Sequence, residues 1–155
     1  MSKPTETPKH DLVLTRVFDA PRELVFKAWT DPKHLAQWFG PHGFTNPVCE
    51  VDLRPGGEWR HVMRGPDGSD YPMTAIFHEV VPPGRLVFMS YVPDQKKSLF
   101  EILNTVTFAE HGGKTRLTIE AKVLKSTPEA APMLAGMDVG WTQSLERLAE
   151  LVERT

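Results

Sequence analysis

The C-terminal two dozen residues form the longest amphipathic run in the chain, and they constrain the fold more than any other feature. Between Met133 and Arg154 the apolar residues Met137, Trp141, Leu145, Leu148 and Val152 recur at steps of three and four, which puts them on one face of an α-helix. Short alternating segments that read as strands come before it. A single long helix after a run of antiparallel strands must bury its stripe against a broad sheet. A sheet that curls around such a helix leaves space between the two, and that space is where function is to be sought.

The earlier segments are punctuated clearly. Asp11 to Asp19 is a predicted strand, with Leu12, Leu14 and Phe18 alternating against Val13, Thr15 and Val17. Apolar residues on both faces predict that it is covered on both sides. Pro21 suits the first position of a helix, where a missing N–H costs nothing; Leu24, Val25, Ala28 and Trp29 supply its stripe. Asp31-Pro32 repeats the start signal with Asp31 as N-cap. Leu35, Trp38 and Phe39 form the second stripe, and Gly40-Pro41 ends it. Two short helices in tandem are therefore expected.

Six further strands follow: Val48–Leu53, Glu58–Arg64, Met73–Val81, Arg85–Tyr91, Phe100–Phe108 and Thr115–Val123. Turn signals separate them at Pro55-Gly56-Gly57, Pro66-Asp67-Gly68, Pro82-Pro83-Gly84 and His111-Gly112-Gly113. Pro93 to Ser98 reads as a polar connection. The last strand sets Leu117, Ile119, Ala121 and Val123 against Arg116, Thr118, Glu120 and Lys122, one dry face and one wet. Ser126 and Glu129 have the spacing of a capping box, and the main helix is expected to start near Met133. The class is α+β, with about seven strands, two short helices after the first, and a long C-terminal helix.

Composition narrows the function classes. The 155 residues suffice for one domain with a core, taken as residues 11–155 behind a flexible polar tail of residues 1–10. A net charge of −2 gives no support for nucleic acid or an anionic membrane as partner. The first residues lack the apolar core of a secretory signal, and no window approaches the roughly 20 apolar residues of a spanning helix. A cytoplasmic location is expected. The single Cys49 sits in an apolar-alternating segment and reads as a buried structural thiol. His10, His34, His42, His61, His78 and His111 form no H-x-x-x-H pair, so no metal is expected, and no cofactor; only His34 and His42, flanking the end of the second helix, are candidates to meet in space. The loop Gly40-Pro41-His42-Gly43 lacks the pattern of a phosphate cradle, and no G-x-S-x-G elbow occurs. Arg54, Arg60 and Arg64 lie on or beside one hairpin and predict a solvated basic edge.

Three blocks carry a family resemblance. Arg16-Val-Phe-Asp-Ala-Pro-Arg-Glu-Leu-Val-Phe-Lys-Ala-Trp-Thr-Asp-Pro32 with Leu35-Ala-Gln-Trp-Phe-Gly-Pro41 resembles the family named for the activator of the Hsp90 ATPase, within the START-like, Bet v 1-like superfamily. Gly56-Gly-Glu-Trp-Arg-His-Val-Met-Arg-Gly-Pro-Asp-Gly68 resembles its second block, and Gly140-Trp141 with Leu145 and Leu148 its last. The resemblance spans about residues 11–154 and implies a helix-grip fold: a curved antiparallel sheet wrapped around the C-terminal helix, closed at one end by the short helices. Superfamily members commonly hold lipids, hormones or polyketides, and some are cyclases or dehydratases. The eukaryotic namesake contacts Hsp90 through further sequence, so that role does not transfer directly. The family has no shared catalytic motif to map here.

In a helix-grip fold the inward strand positions and one helix face line the cavity. Those positions are Trp59, His61 and Met63 on one strand, Phe88 and Ser90 on another, and Phe100, Ile102, Asn104, Val106 and Phe108 on a third. Trp38 and Phe39 join them from the second short helix and Trp141 from the long one. Ser90, Asn104 and His61 would be the placed polar groups of a mostly apolar site. The same residues equally suit a filled core, and a bulge at Gly56-Gly57 would flip the register of the strand after it. Gly136 and Gly140 share a helix face, leaving room either for a ligand or for close packing. His61 suits general-base work near neutrality or simple pairing with a neighbour; spacing fixes no second catalytic residue among Glu101, Asp70 and Tyr91. The leading expectation is a module that binds a small apolar or aromatic ligand. A cyclase or hydratase using the same cavity, and a protein-interaction module acting on an Hsp90-like chaperone, are the alternatives. Monomer and homodimer both fit the sequence.

Overall fold

The computed structural model describes the backbone of residues 12–94, 97–126 and 137–153, and their side chains except those of residues 92–100 and 125–126. The expected tail, the capping box at Ser126 and Glu129, the helix start at Met133, Gly136, His10 and the Phe100 side chain lie outside the described residues. One seven-stranded antiparallel sheet runs in the order β1-β7-β6-β5-β4-β3-β2. Strand β1 is Leu12–Phe18. Helices α1 (Arg22–Thr30) and α2 (Pro32–Trp38) then carry the chain across the sheet to its far edge. From there β2 (Thr45–Val51), β3 (Glu58–Arg64), β4 (Asp70–Val81), β5 (Arg85–Asp94), β6 (Lys97–His111) and β7 (Lys114–Ser126) meander back until β7 pairs with β1. Helix α3 (Met137–Glu153) packs against β1, α1 and α2. This is the expected curved helix-grip arrangement.

Local chemistry explains the helix ends. Asp31 caps α2 as expected, its Oδ1 accepting from the Lys33 N–H at 2.9 Å. Pro21 lies one place earlier than expected: it is the N-cap of α1, its carbonyl accepting from Leu24 and Val25. The α1 stripe is rotated slightly, with Phe26 buried and Leu24 half-buried.

Two strand expectations are corrected. β1 is an edge strand with one solvated face, on which Val13 is 65% and Val17 41% exposed; apolar sequence on both faces did not mean cover on both. The segment from Pro93 to Ser98 is not simply a connection, because Pro93 pairs with Ser98 and Asp94 with Lys97, extending the β5–β6 hairpin. β2 is the other edge, and Pro47 falls where its pairing with β3 shifts register, so the missing N–H removes no ladder bond there.

The β2–β3 turn decides which way β3 faces. A Cβ on Gly57 would lie 2.0 Å from the Asp52 carbonyl oxygen, so only glycine permits this approach. Gly56 N–H donates to Phe77 O at 2.7 Å and Phe77 N–H to Gly57 O at 3.0 Å, which ties the turn to β4. Trp59 and His61 consequently point inward, each 1% exposed, and Met63 is half-buried. The inward faces of β5 and β6 are as expected at Phe88, Ser90, Ile102, Asn104, Val106 and Phe108, and the dry face of β7 is buried at Leu117, Ile119 and Ala121. The main core joins sheet and helices around Trp29, Trp38, Trp59, Phe18, Phe88 and Phe108, and a smaller cluster of Ile102 and Ala121 lies apart from it.

Candidate functional site

Helix α3 behaves differently along its length. Leu145, Leu148, Ala149 and Val152 in its second half are buried. Met137 and Trp141, on the same stripe in its first half, are only half-buried. Beneath that first half lies a cavity of about 170 Å³. Its wall comes from α3 (Met137, Gly140, Trp141, Ser144), the segment after α2 (Phe39, Gly40, Pro41), and strands β3 to β6 (Met63, Met73, Ser90, Ile102, Asn104).

Of the thirteen residues expected to line a cavity, six meet there: Phe39, Met63, Ser90, Ile102, Asn104 and Trp141. Trp38, Trp59, His61, Phe88, Val106 and Phe108 are buried outside the wall, and the Phe100 side chain lies outside the described residues. Trp38 is fully buried against Trp29 and Phe39, and its indole N–H donates to Ala28 O at 2.8 Å. Phe88 and Trp59 pack together with centroids 5.0 Å apart. Trp59 also meets the ring of Phe39, whose own ring forms the wall.

His61 is held by a closed relay. The Trp59 indole N–H donates to His61 Nδ1 at 3.1 Å, so Nδ1 is the bare nitrogen. The proton therefore sits on Nε2 and is donated to Asn46 Oδ1 at 2.7 Å. Asn46 Nδ2 in turn donates to Ala36 O at 2.7 Å and Phe39 O at 3.0 Å, the carbonyls that the end of α2 leaves without helical partners. Burial pushes the imidazole pKa down to about 4, because the charged form loses its hydration. His61 is thus neutral at physiological pH with both nitrogens engaged. Asp70, weighed as a second group, pairs instead with Arg64 at the exposed end of the hairpin.

The rim segment from Phe39 to His42 is pinned to α3. Gly40 N–H donates to Ser144 Oγ at 3.0 Å, and His42 N–H to Gln143 Oε1 at 3.1 Å. Arg147 Nη1 donates to the carbonyls of Phe39, Gly40 and Pro41 at 3.0–3.3 Å, and Nη2 to Gln37 O at 3.0 Å. Burial lowers the Arg147 pKa, with the nearby Glu150 acting the other way. A cation here also meets the negative end of the α2 dipole. The periodicity of α3 placed Arg147 off the apolar stripe and gave no sign of this role.

Trp141 forms the helix side of the cavity. It stacks on Trp29 with centroids 5.6 Å apart and 19° between planes, and meets Phe39 edge-on at 5.6 Å. Gly140 lies beside it; a Cβ there would meet only Pro41 Cγ, at 4.0 Å. Close packing is therefore not what Gly140 serves, and the space it leaves belongs to the cavity. Sequence reasoning missed Met73 and Met137, which are ordinary core types, and Ser144, which lies at stripe spacing from Met137, Trp141 and Leu148 but is polar.

Other sequence candidates resolve simply. His34 lies 3.7 Å from Asp31 and His42 pairs with Glu146 at 2.8 Å, so the two do not meet. No cluster of three metal-ligating side chains occurs among the described residues. Arg54, Arg60 and Arg64 pair with Asp52, Glu50 and Asp70, which makes the hairpin charge-balanced rather than basic. No helix among the described residues is long and apolar enough to cross a membrane.

Known structures place this arrangement. The fold matches that of a Nitrosomonas europaea protein at 30% identity and TM-score 0.81, over 93% of this chain and 94% of that one. A Chromobacterium violaceum protein matches at 29% identity and TM-score 0.75, over 93% and 97%. An AHSA1 protein from Silicibacter pomeroyi matches at 30% identity and TM-score 0.77, over 94% and 99%. No curated protein matches the chain significantly. The family model described as activator of Hsp90 ATPase homolog 1-like protein covers residues 19–153, taking in both short helices, the hairpin that carries Trp59 and His61, and Trp141 on α3. With the model spanning nearly the whole described domain, the chain belongs to the activator of Hsp90 ATPase homolog 1-like family.

Proposed function

We propose that this protein is a binding module that holds one small, largely apolar molecule between the first half of α3 and the inner face of β3 to β6. The observation that carries this reading is the mostly apolar cavity of about 170 Å³ beside Trp141, between the first half of α3 and the sheet. Apolar walls with a few fixed polar groups are the usual make-up of small-molecule sites. Gly140 supports it, since a helix interior accepts the roughly 1 kcal/mol cost of glycine more readily where a side chain would intrude on a needed space.

The cyclase or hydratase reading needs a proton carrier in the wall. The described lining has no titratable side chain, and His61, its favoured base, is behind the wall with both nitrogens engaged. The Hsp90 activity in the family description belongs to the namesake, and no described surface feature favours it over the cavity.

Native mass spectrometry of freshly purified protein, with extraction of any released molecule, tests the reading first. A titration with toluene followed by ligand-observed NMR tests it independently, in the wild type and in a cavity-filling Met63→Trp variant whose fold is checked by circular dichroism. The expected result is a one-to-one complex in the wild type that is lost in Met63→Trp. Absence of any guest together with no toluene binding, or binding unchanged in Met63→Trp, overturns it.

A further inference from the structure

One end of the cavity is polar, and the bonding there is incomplete. Asn104 is 2% exposed. Its Nδ2 lies 2.7 Å from Ser90 Oγ, 3.1 Å from Ile102 O and 3.4 Å from Phe88 O. The two carbonyls can only accept, so the amide nitrogen must face them, and this fixes Oδ1 on the opposite side. Oδ1 takes part in none of these bonds. Asn104 lines the cavity, and with Nδ2 turned to the strand carbonyls Oδ1 is the amide atom left to meet a guest. Ser90 Oγ accepts from Asn104 and keeps its own proton to donate. The pair offers one acceptor and one donor side by side.

The rest of the wall sets size and charge. Met63, Met73, Met137, Phe39 and Trp141 give it a soft, polarisable lining that suits an aromatic guest. None of the described lining residues is ionisable, so nothing would compensate a buried ionic group for its lost hydration. A volume of about 170 Å³ is close to that of cavities that hold a single benzene ring, roughly 150 Å³, and well below that of sites for larger guests.

We propose that the cavity selects a neutral, one-ring aromatic molecule bearing a phenolic hydroxyl or a primary carboxamide, whose donor and acceptor are matched by Asn104 Oδ1 and the Ser90 hydroxyl. Carboxylic acids of the same size are rejected as anions. This rests on the ligand-binding reading above and narrows it to a chemical class.

The test compares phenol, benzamide, toluene and benzoate at pH 7 by ligand-observed NMR. Phenol and benzamide are expected to bind about tenfold tighter than toluene, the difference one well-made hydrogen bond supplies. Benzoate is expected to bind at least about tenfold more weakly than benzamide. In Ser90→Ala and in Asn104→Leu the preference of phenol over toluene should collapse to within about twofold. Should Asn104→Leu fail to fold, Ser90→Ala carries the comparison alone. Toluene binding as tightly as phenol, benzoate matching benzamide, or a preference unchanged in the folded variants overturns the selectivity while leaving the binding module intact. If none of the four binds and native mass spectrometry finds no guest, both readings fall.

Discussion

The indole N–H of Trp59 donates to Nδ1 of His61 at 3.1 Å, across two positions of one strand on its buried face. That single bond fixes the tautomer of a buried histidine and leaves its other nitrogen to hold Asn46, which secures the end of α2. The segment that forms the cavity rim is therefore anchored from the sheet by a relay of uncharged groups. From the helix side it is anchored by Arg147.

Acid should undo the relay. A proton on His61 Nδ1 would oppose the Trp59 N–H donor, and burial already holds the pKa down near 4, against 6.5 in the unfolded chain. The folded pKa is the lower one, so the unfolded chain binds more protons between these values. The contribution is present in full above about pH 6.5 and is lost progressively as pH falls towards 4, in all by roughly 3 kcal/mol. Asp67 and Asp70, whose pKa values are held below 3.8 by hydrogen bonds from Ser69 and Arg64, lose their contribution only at lower pH. Urea denaturation at pH 7.5 and pH 4.5 should show the drop, and His61→Gln, which can accept and donate without titrating, should flatten it. A flat wild-type profile would be incompatible with this account.

Arg147 links α3 to four carbonyls at and beyond the end of α2. Lysine keeps the charge but lacks the fork that reaches them together. Arg147→Lys and Arg147→Ala should both destabilise the fold, by about 1 and 2 kcal/mol respectively. Both should also weaken guest binding, because Phe39, Gly40 and Pro41 form the rim. Equal stability of Arg147→Lys and the wild type in thermal unfolding would show that the charge alone suffices.

Cys49 is half-buried on β2, and burial, with Glu50 beside it, raises its pKa to about 11. At pH 7 the reactive thiolate is then a fraction on the order of one in ten thousand. The native protein should react with a thiol-specific dye at least about tenfold more slowly than the urea-unfolded chain, whose thiol titrates near 8.5. Comparable rates would mean that the strand edge opens readily.

The sequence made the fold legible because each element carried its own signal. The period of Leu145, Leu148 and Val152, the Asp31-Pro32 cap and the glycine turns needed no tertiary information. The inward faces of β5 and β6 followed from alternation alone. The site was only half legible, for a physical reason. Inward-facing residues of a strand divide into those that reach a cavity and those packed behind it, and alternation cannot separate them. Trp59 and His61 face inward beside Met63, yet only Met63 reaches the space, because the ring of Phe39 covers the other two. Edge position was equally hidden: nothing local marks Val13 and Val17 as solvated. Arg147 and Ser144 act on backbone groups more than a hundred positions earlier in the chain, a relationship no spacing rule encodes.

Gly140 separates stability from binding most cleanly. It lies within α3, where alanine is favoured over glycine by up to about 1 kcal/mol. The added Cβ would meet only Pro41 Cγ at 4.0 Å, an ordinary contact, so no strain offsets that gain. Gly140→Ala should therefore raise stability by about 0.5–1 kcal/mol, read as a higher midpoint in urea. The same methyl group takes space from a cavity of about 170 Å³ next to the Trp141 ring, so guest affinity should fall several-fold. Destabilisation on Gly140→Ala would show that the helix is packed more tightly there than the 4.0 Å contact implies. A stabilised variant with unchanged affinity would place the guest away from α3, and the cavity beneath Trp141 would then be a packing defect rather than a site.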